Sequence, residues 1–265
     1  MDIFLIIGVI GGALAIVIGM IVKGANVAVL LNPAAAIIII LGTTFATMNS
    51  FPRKEFLKIP KIVGALFKER KHEDPGSTIK KIADLSQMAR KDGLLSLEQT
   101  ISTMDNKFMK NGLGMVVDGI EAEYIREVLE IEIESMEERH RAAASIFSAA
   151  GSYAPTLGVL GAVIGLIGAL GNLNDTEKLG HMIAAAFVAT LYGIFIGYVL
   201  CQPFASRLKR KSHEEVSNMR IVVEGILSIQ AGENPKSIEL KLVGMLDPKD
   251  REKMDAGADN KSKGE

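Results

Sequence analysis

The side chains that could do chemistry inside the apolar runs of this chain carry hydroxyls rather than charges: Thr43, Thr44, Thr47, Thr156, Thr190, Tyr192 and Tyr198. A hydroxyl at membrane depth can hydrogen-bond an ion or a carboxyl group, although a threonine in such a helix more often donates back to its own preceding turn. Thr190 stands apart because it shares a small-residue face with Ala186, Gly193 and Gly197 at helical spacing. The runs 3–22, 34–48, 142–171 and 182–203 contain no Asp, Glu, Lys or Arg, and Asp2, Lys23 and His181 lie only at their edges. A proton relay through a membrane needs titratable groups at depth, so this chain cannot supply one alone.

Other chemistries are poorly provided for. His72, His140, His181 and His213 are scattered, and neither H-E-x-x-H, G-x-S-x-G nor a phosphate-binding glycine loop occurs. The single cysteine, Cys201, rules out an internal disulfide framework and a cysteine-built metal site, and its place in an apolar helix marks it as a packing residue. No enzyme activity, metal or cofactor is expected. Two prolines, Pro155 and Pro203, each remove a helical hydrogen bond near a membrane boundary, which fits either an ordinary kink or a hinge.

The elements that must position these residues follow from composition. With 265 residues, 48% of them hydrophobic, and a net charge of −1, the chain reads as an all-α integral membrane protein with four transmembrane helices. The first apolar run has no basic n-region and is too long for a signal-peptide core, so it is read as a retained span. Asn32 followed by Pro33 predicts the N-terminus of the second helix, and Phe51 before Pro52 its end. In the third, Gly158, Gly161, Gly165, Gly168 and Gly171 recur every three or four residues after Pro155, so a neighbouring backbone could approach closely. The expected divisions are 1–51, the first two spans; 52–141, a helical cytoplasmic domain; 142–203, the last two spans; 204–247, C-terminal helices; and 248–265, a disordered tail.

The section from Arg53 threads Lys54, Lys58, Lys61, Lys68, Arg70 and Lys71 among Phe56, Leu57, Ile59, Ile62, Val63, Leu66 and Phe67, a basic amphipathic pattern suited to a membrane surface. A polar break at 72–77 precedes a helix that stops at Gly93, and Ser96 with Gln99 reads as a capping box for the next. Residues 127–138 alternate acidic and apolar, which locally mimics a strand; continuity with the third span favours helix. Lys and Arg flank the middle section and the C-terminal end, whereas the short connections carry only Lys23 and Lys178, so both termini and the middle section are placed in the cytoplasm.

The segments RKDGLLSLE at Arg90 to Glu98, PTLGVLGAVIG from Pro155, FVATLYG from Phe187 and GENP from Gly232 resemble the flagellar motor stator subunits of the MotA family, over nearly the whole chain. The resemblance implies a homopentamer in the bacterial inner membrane around a MotB partner that supplies the membrane aspartate, with ion flow converted into torque. It implies coupling roles for Pro155, Pro203 and Thr190, contacts of Arg90 and Glu98, with Glu132 as a third position, to the rotor protein FliG, and no nucleic-acid partner. Sodium-driven relatives such as PomA carry threonine seven places after the third-span proline, where this chain has Ala162, so protons are the expected ion. Gly158, Gly161, Gly165, Gly168, Gly193 and Gly197 are expected to pack the partner helices. Alternatives are an ExbB- or TolQ-like energy-transducing unit, or a transporter or membrane enzyme, which would need a polar midplane site.

Overall fold

The computed structural model describes residues 3–67 and 74–254, and among them it is helical without strands. Lys68, Arg70, Lys71 and His72 lie outside the described residues. α1 (Ile3–Val22) is apolar all round and buries no residue within the chain, as a lipid-facing helix would. The Asn26 side chain accepts from the Ala28 amide and opens a short 3₁₀ turn, Val27–Leu30. Asn32 then accepts from the Ala35 amide with Pro33 in the first turn, as expected from the Asn-Pro pair. α2 (Pro33–Ala36), a π-helical stretch Ile37–Leu41 and α3 (Gly42–Ser50) continue without a break. Phe51 ends them in an extended conformation before Pro52.

α4 (Arg53–Phe56) and α5 (Ile59–Phe67) carry the basic amphipathic segment. α6 (Pro75–Asp92) starts where the Asp74 side chain accepts from the Ser77 amide and ends at Gly93, whose φ of 84° suits a residue without a Cβ. A 3₁₀ turn, Leu94–Ser96, leads into α7 (Leu97–Ser102), followed by α8 (Lys107–Val117). The expected capping box at Ser96 does not form. Ser96 already has helical dihedrals, and its hydroxyl donates back to the Gly93 carbonyl at 2.6 Å, because the 3₁₀ turn has started the helix earlier.

α9 (Ala122–Leu170) runs unbroken through 49 residues. The alternation at 127–138 is therefore helical: Ile125, Leu129, Ile133 and Met136 are buried at spacings of four, four and three, while Glu127, Glu130, Glu132, Glu134 and Glu138 are exposed. After a turn, α10 (Thr176–Ile194) begins at the Asp175 cap, between the apolar runs 142–171 and 182–203. A second π-helical stretch, Phe195–Cys201, joins it to α11 (Gln202–Gln230), and α12 (Pro235–Val243) follows the Asn234 cap. Among the described residues four helices are long and apolar enough to cross a membrane, and they begin at Ile3, Val27, Ala122 and Thr176.

The chain divides into two compact units, cut along α9 between Glu138 and Arg139 and along α11 between Lys211 and Ser212. The unit containing α6, α7, α8 and α12 has a continuous apolar core. Ile79, Ile82 and Leu85 from α6, Leu97 and Ile101 from α7, and Met109 and Leu113 from α8 pack with the buried stripe of α9, with Val222, Val223 and Ile226 of α11, and with Ile238 and Leu242 of α12. The expectation of a disordered end from Pro248 is corrected here. Residues 248–254 are helical, the Arg251 Nε donates to the Leu246 carbonyl at 2.9 Å, and Met254 packs against this core beside Gly76. Met254 and the Arg251 hydrogen bond together tie this charged stretch down; residues 255–265 lie outside the described residues.

Glu224 ties three helices of this unit, pairing with Arg126 of α9 at 2.8 Å and Lys241 of α12 at 3.1 Å. Partial burial raises its pKa, but the hydrogen bonds and charges of Arg126 and Lys241 outweigh this and hold the carboxyl below its ordinary range. The stabilisation is therefore full above the ordinary value of 4.5 and is lost as pH falls through the lower folded value. Because the site is partly solvated, its size is about 1 kcal/mol or less. Glu224→Gln is expected to lower the melting temperature of the detergent-solubilised chain by a few degrees at pH 7 and to reduce the further fall between pH 5 and pH 3. A wild-type pH response in the variant would contradict this.

Candidate functional site

Pro155 sits within α9 and has no amide hydrogen to give the Gly151 carbonyl, its usual partner one turn back. Gly197 lies on that defect. A Cβ built on Gly197 would stand 2.7 Å from the Gly151 oxygen and 2.7 and 2.8 Å from Pro155 Cγ and Cδ, so only glycine fits. One turn away, a Cβ on Gly193 would be 2.5 Å from the Ala154 oxygen and 3.0 Å from the Gly158 Cα. The Thr190 hydroxyl donates to the Gly158 carbonyl at 3.3 Å. The contact continues as an antiparallel ladder in which Gly161 faces Ala189, Gly165 faces Ala186, and Gly168 faces the Met182 side chain.

This placement corrects one expectation. Gly158, Gly161, Gly165, Gly168, Gly193 and Gly197 do not offer an open face to a partner helix, because the third and fourth spans of the same chain fill it. Two matching small-residue faces on consecutive antiparallel helices find each other first, since backbone approach maximises dispersion contact where lipid offers no hydrophobic drive. What α9 leaves open is a different stripe, Ser152, Thr156, Val159, Val163 and Leu166 at spacings of four and three, all exposed. Ala162 lies half-buried beside it. Ser152 and Thr156 donate to the Ser148 and Ser152 carbonyls, so their oxygens keep acceptor capacity towards that face. Ser152 was missed from sequence; its spacing from Thr156 is the signal that could have found it.

Pro203 is exposed at the second position after the π-helical stretch Phe195–Cys201. The Gln202 amide reaches five residues back to the Gly197 carbonyl, so the hydrogen-bond register is already shifted where the proline interrupts it. The Gln202 side chain crosses to α9, where its Nε2 donates to the Ser148 carbonyl at 3.4 Å and lies over Gly151. Both prolines thus border one contact. The second span supports it from the side: Gly42 meets the Leu157 side chain, Ala35 packs with Val188 and Ala189, and the Tyr192 hydroxyl donates to the Leu30 carbonyl. Thr44 and Thr47 donate to their own preceding turns, while the buried Thr43 hydroxyl has no partner among the described residues.

In the other unit Arg90 stands in the last turn of α6 and Glu98 in the first turn of α7, across the Gly93 turn. Both are exposed, and neither has an ion-pair partner among the described residues. A cation at a helix C-terminus and an anion at an N-terminus are each favoured by the helix dipole, so their placement alone does not demand a binding partner. Between them Leu95 is 71% exposed while its neighbour Leu97 is fully buried. Glu132 is exposed on α9, a different element of the same unit. No group of His, Cys, Asp and Glu among the described residues is arranged to hold a metal.

Fold and site define a multi-span helical membrane protein whose central contact is backbone on backbone and whose spans carry no titratable charge. Residues 100–221 match the model of the MotA/TolQ/ExbB proton channel family. The chain is 51% identical to motility protein A of Bacillus subtilis over 95% of its own length and 93% of that protein's. It superposes on a structure of the flagellar MotAB stator complex from Bacillus subtilis with a TM-score of 0.88 at 52% identity, covering 94% of this chain and 98% of that one. For a structure of C. jejuni MotAB the TM-score is 0.89 at 33% identity, over 94% and 97% of the two chains. The chain belongs to the MotA/TolQ/ExbB proton channel family.

The close approach at Gly193 has a direct test. Gly193→Val places a branched side chain against the Ala154 carbonyl, an overpacking expected to cost about 1–3 kcal/mol or more. The variant should melt several degrees below wild type in detergent, whereas Gly8→Val, where nothing lies within 4 Å of the added carbon, should not. Equal melting of the two variants would contradict the packing described.

Proposed function

We propose that this chain is a flagellar stator subunit that forms an ion channel with a MotB-like partner and converts ion flow into torque on the rotor. The observation that carries this reading is the pairing of charge-free spans with a glycine-tight contact at Pro155. The titrating carboxyl then belongs to the partner, and this chain supplies the wall it moves against. In this reading the partner helix lies along the exposed stripe from Ser152 to Leu166, beside Ala162. The chain sits in the bacterial inner membrane as a homo-oligomer, a pentamer by family resemblance. Both termini and the section between the second and third spans lie on the cytoplasmic side, as the Lys and Arg beside them favour.

Protonation of the partner's carboxyl removes a charge facing this stripe and changes which contacts are favourable. Pro155, with Gly197 over the Gly151 carbonyl that the proline cannot bond, passes the displacement to the fourth span, and Thr190, with Pro203 at the start of α11, carries it onward. Arg90, Glu98 and Glu132 engage opposite charges on the rotor protein FliG. Exposed pairs of this kind contribute about 0–1 kcal/mol each, which suits contacts that form and release on every step.

Substitution of Pro155 or Thr190 is expected to reduce torque of tethered cells at least several-fold while membrane levels of the chain stay normal; wild-type torque in both variants would contradict the coupling role. Charge reversal at Arg90 or Glu98 should impair swimming and be partly restored by reversal on the rotor. Protons are the proposed ion, because the Ala162 methyl cannot replace a hydration-shell oxygen. Swimming speed should accordingly collapse with a protonophore and be indifferent to sodium concentration, and the opposite pattern would reassign the ion.

A further inference from the structure

The segment α4–α5 is fixed at both ends to the ends of membrane-spanning helices. At its start, Phe51 and Pro52 are extended and turn the chain off the axis of the second span, whose last residue, Ser50, shares a hydrogen bond of 2.9 Å with the Tyr153 hydroxyl of α9. At its far end Phe67 packs edge-on against Phe204, with ring centres 6.0 Å apart, and Phe204 in turn packs on Phe147 of α9. The Lys211 ammonium also donates to the Leu66 carbonyl at 3.0 Å, and Leu66 is fully buried. Phe204 directly follows Pro203, where the fourth span ends. A segment tied to the ends of two spans lies along the level at which those spans leave the hydrocarbon.

Its charges at that level are one-sided. Arg53, Lys54, Lys58 and Lys61 are exposed and none of them has an ion-pair partner among the described residues. Glu55 is the single carboxylate in 51–67. On α11, Lys209 and Arg210 are exposed six and seven residues beyond Pro203, about 9–10.5 Å along the helix, just past the roughly 5–8 Å of a headgroup layer and within reach of its phosphates for long cationic side chains. Leu57, in the same segment as these cations, is 65% exposed. Apolar side chain and unpaired ammonium groups together match the boundary between acyl chains and phosphates.

We infer that Arg53, Lys54, Lys58 and Lys61, with Lys209 and Arg210, bind the headgroup phosphates of anionic phospholipids, while Leu57 enters the acyl boundary. Continuity with the spans and charge complementarity commit this surface to lipid rather than to another protein. Bound lipid holds α4–α5 at a fixed depth and thereby braces the ends of the second and fourth spans on either side of the Pro155 contact.

The test uses the purified full chain in a non-ionic detergent, titrated with phosphatidylglycerol or with phosphatidylcholine of the same acyl chains. Bound lipid is counted by native mass spectrometry. Phosphatidylglycerol is expected to bind at least tenfold more tightly than phosphatidylcholine, and the difference should largely vanish in 0.5 M salt. Each cation removed should weaken binding about fivefold, the factor that about 1 kcal/mol per cation near an anionic surface represents, so K54Q/K58Q/K61Q should lose roughly a hundredfold. K209Q/R210Q, on a separate element, should lose about twenty-fivefold, and K107Q on α8 should lose nothing. Equal binding of the two lipids, or wild-type binding by both multiple variants, overturns the inference. Displacement of phosphatidylglycerol by millimolar inorganic phosphate also overturns it, because the site would then be one for a free anion. Motility plays no part in the readout, so failure here leaves the stator reading standing, and failure of that reading leaves this site standing.

Discussion

The third and fourth spans meet through main chain and the rigid Pro155 ring where Gly193 and Gly197 lie against Ala154, Gly151 and Pro155. In an apolar medium an unpaired backbone carbonyl costs several kcal/mol, and Pro155 creates one at Gly151. The chain answers by laying the Gly197 backbone over it, where no Cβ would fit, and by adding the Thr190 hydrogen bond one turn on. The two helices are thus joined through main chain rather than through compliant side chains. A shift at Pro155 has no slack to dissipate in before it reaches the fourth span, whose own π-helical stretch and Pro203 begin at the same contact.

That rigidity is useful because the spans hold no charge. In the proposed mechanism hydroxyls and small residues line the path without a charge of their own, so that one titrating group on a neighbouring chain governs conduction. Torque then has to leave the membrane along continuous helix, and both α9 and α11 run from the spans into the unit that carries Arg90, Glu98 and Glu132. The internal ties of that unit, the buried stripe of α9 and the Glu224 cluster, oppose the motion being lost in deformation of its core.

Much of the fold was legible in sequence because local chemistry decided it. Asn32 and Pro33 start a helix for steric and hydrogen-bonding reasons that need no tertiary context, and Gly93 ends one because its φ is positive. At 127–138 Ile131 is an exposed apolar residue that completes a false alternation, and continuity with the third span correctly favoured helix over strand. The Ser96 cap failed because a 3₁₀ turn had already begun the helix, and 248–254 folds because Met254 finds a core place that no local pattern announces. At the site, the proline within the third span and the place of Thr190 on a small-residue face could be read from type and spacing. Which surface their glycine neighbours would meet could not, because two complementary faces in one chain compete with any partner, and the pairing is decided only in the folded chain.

The account stands on the titrating group being absent from this chain and present on its neighbour. Ion flux into vesicles reconstituted with this chain alone, with a MotB-like partner, and with that partner's membrane aspartate replaced by asparagine tests it most directly, using partner lacking any segment that blocks the channel. Flux is predicted only for the pair with the aspartate intact. Equal flux from this chain alone, or from the asparagine pair, would place the ion path and its chemistry elsewhere and contradict the account.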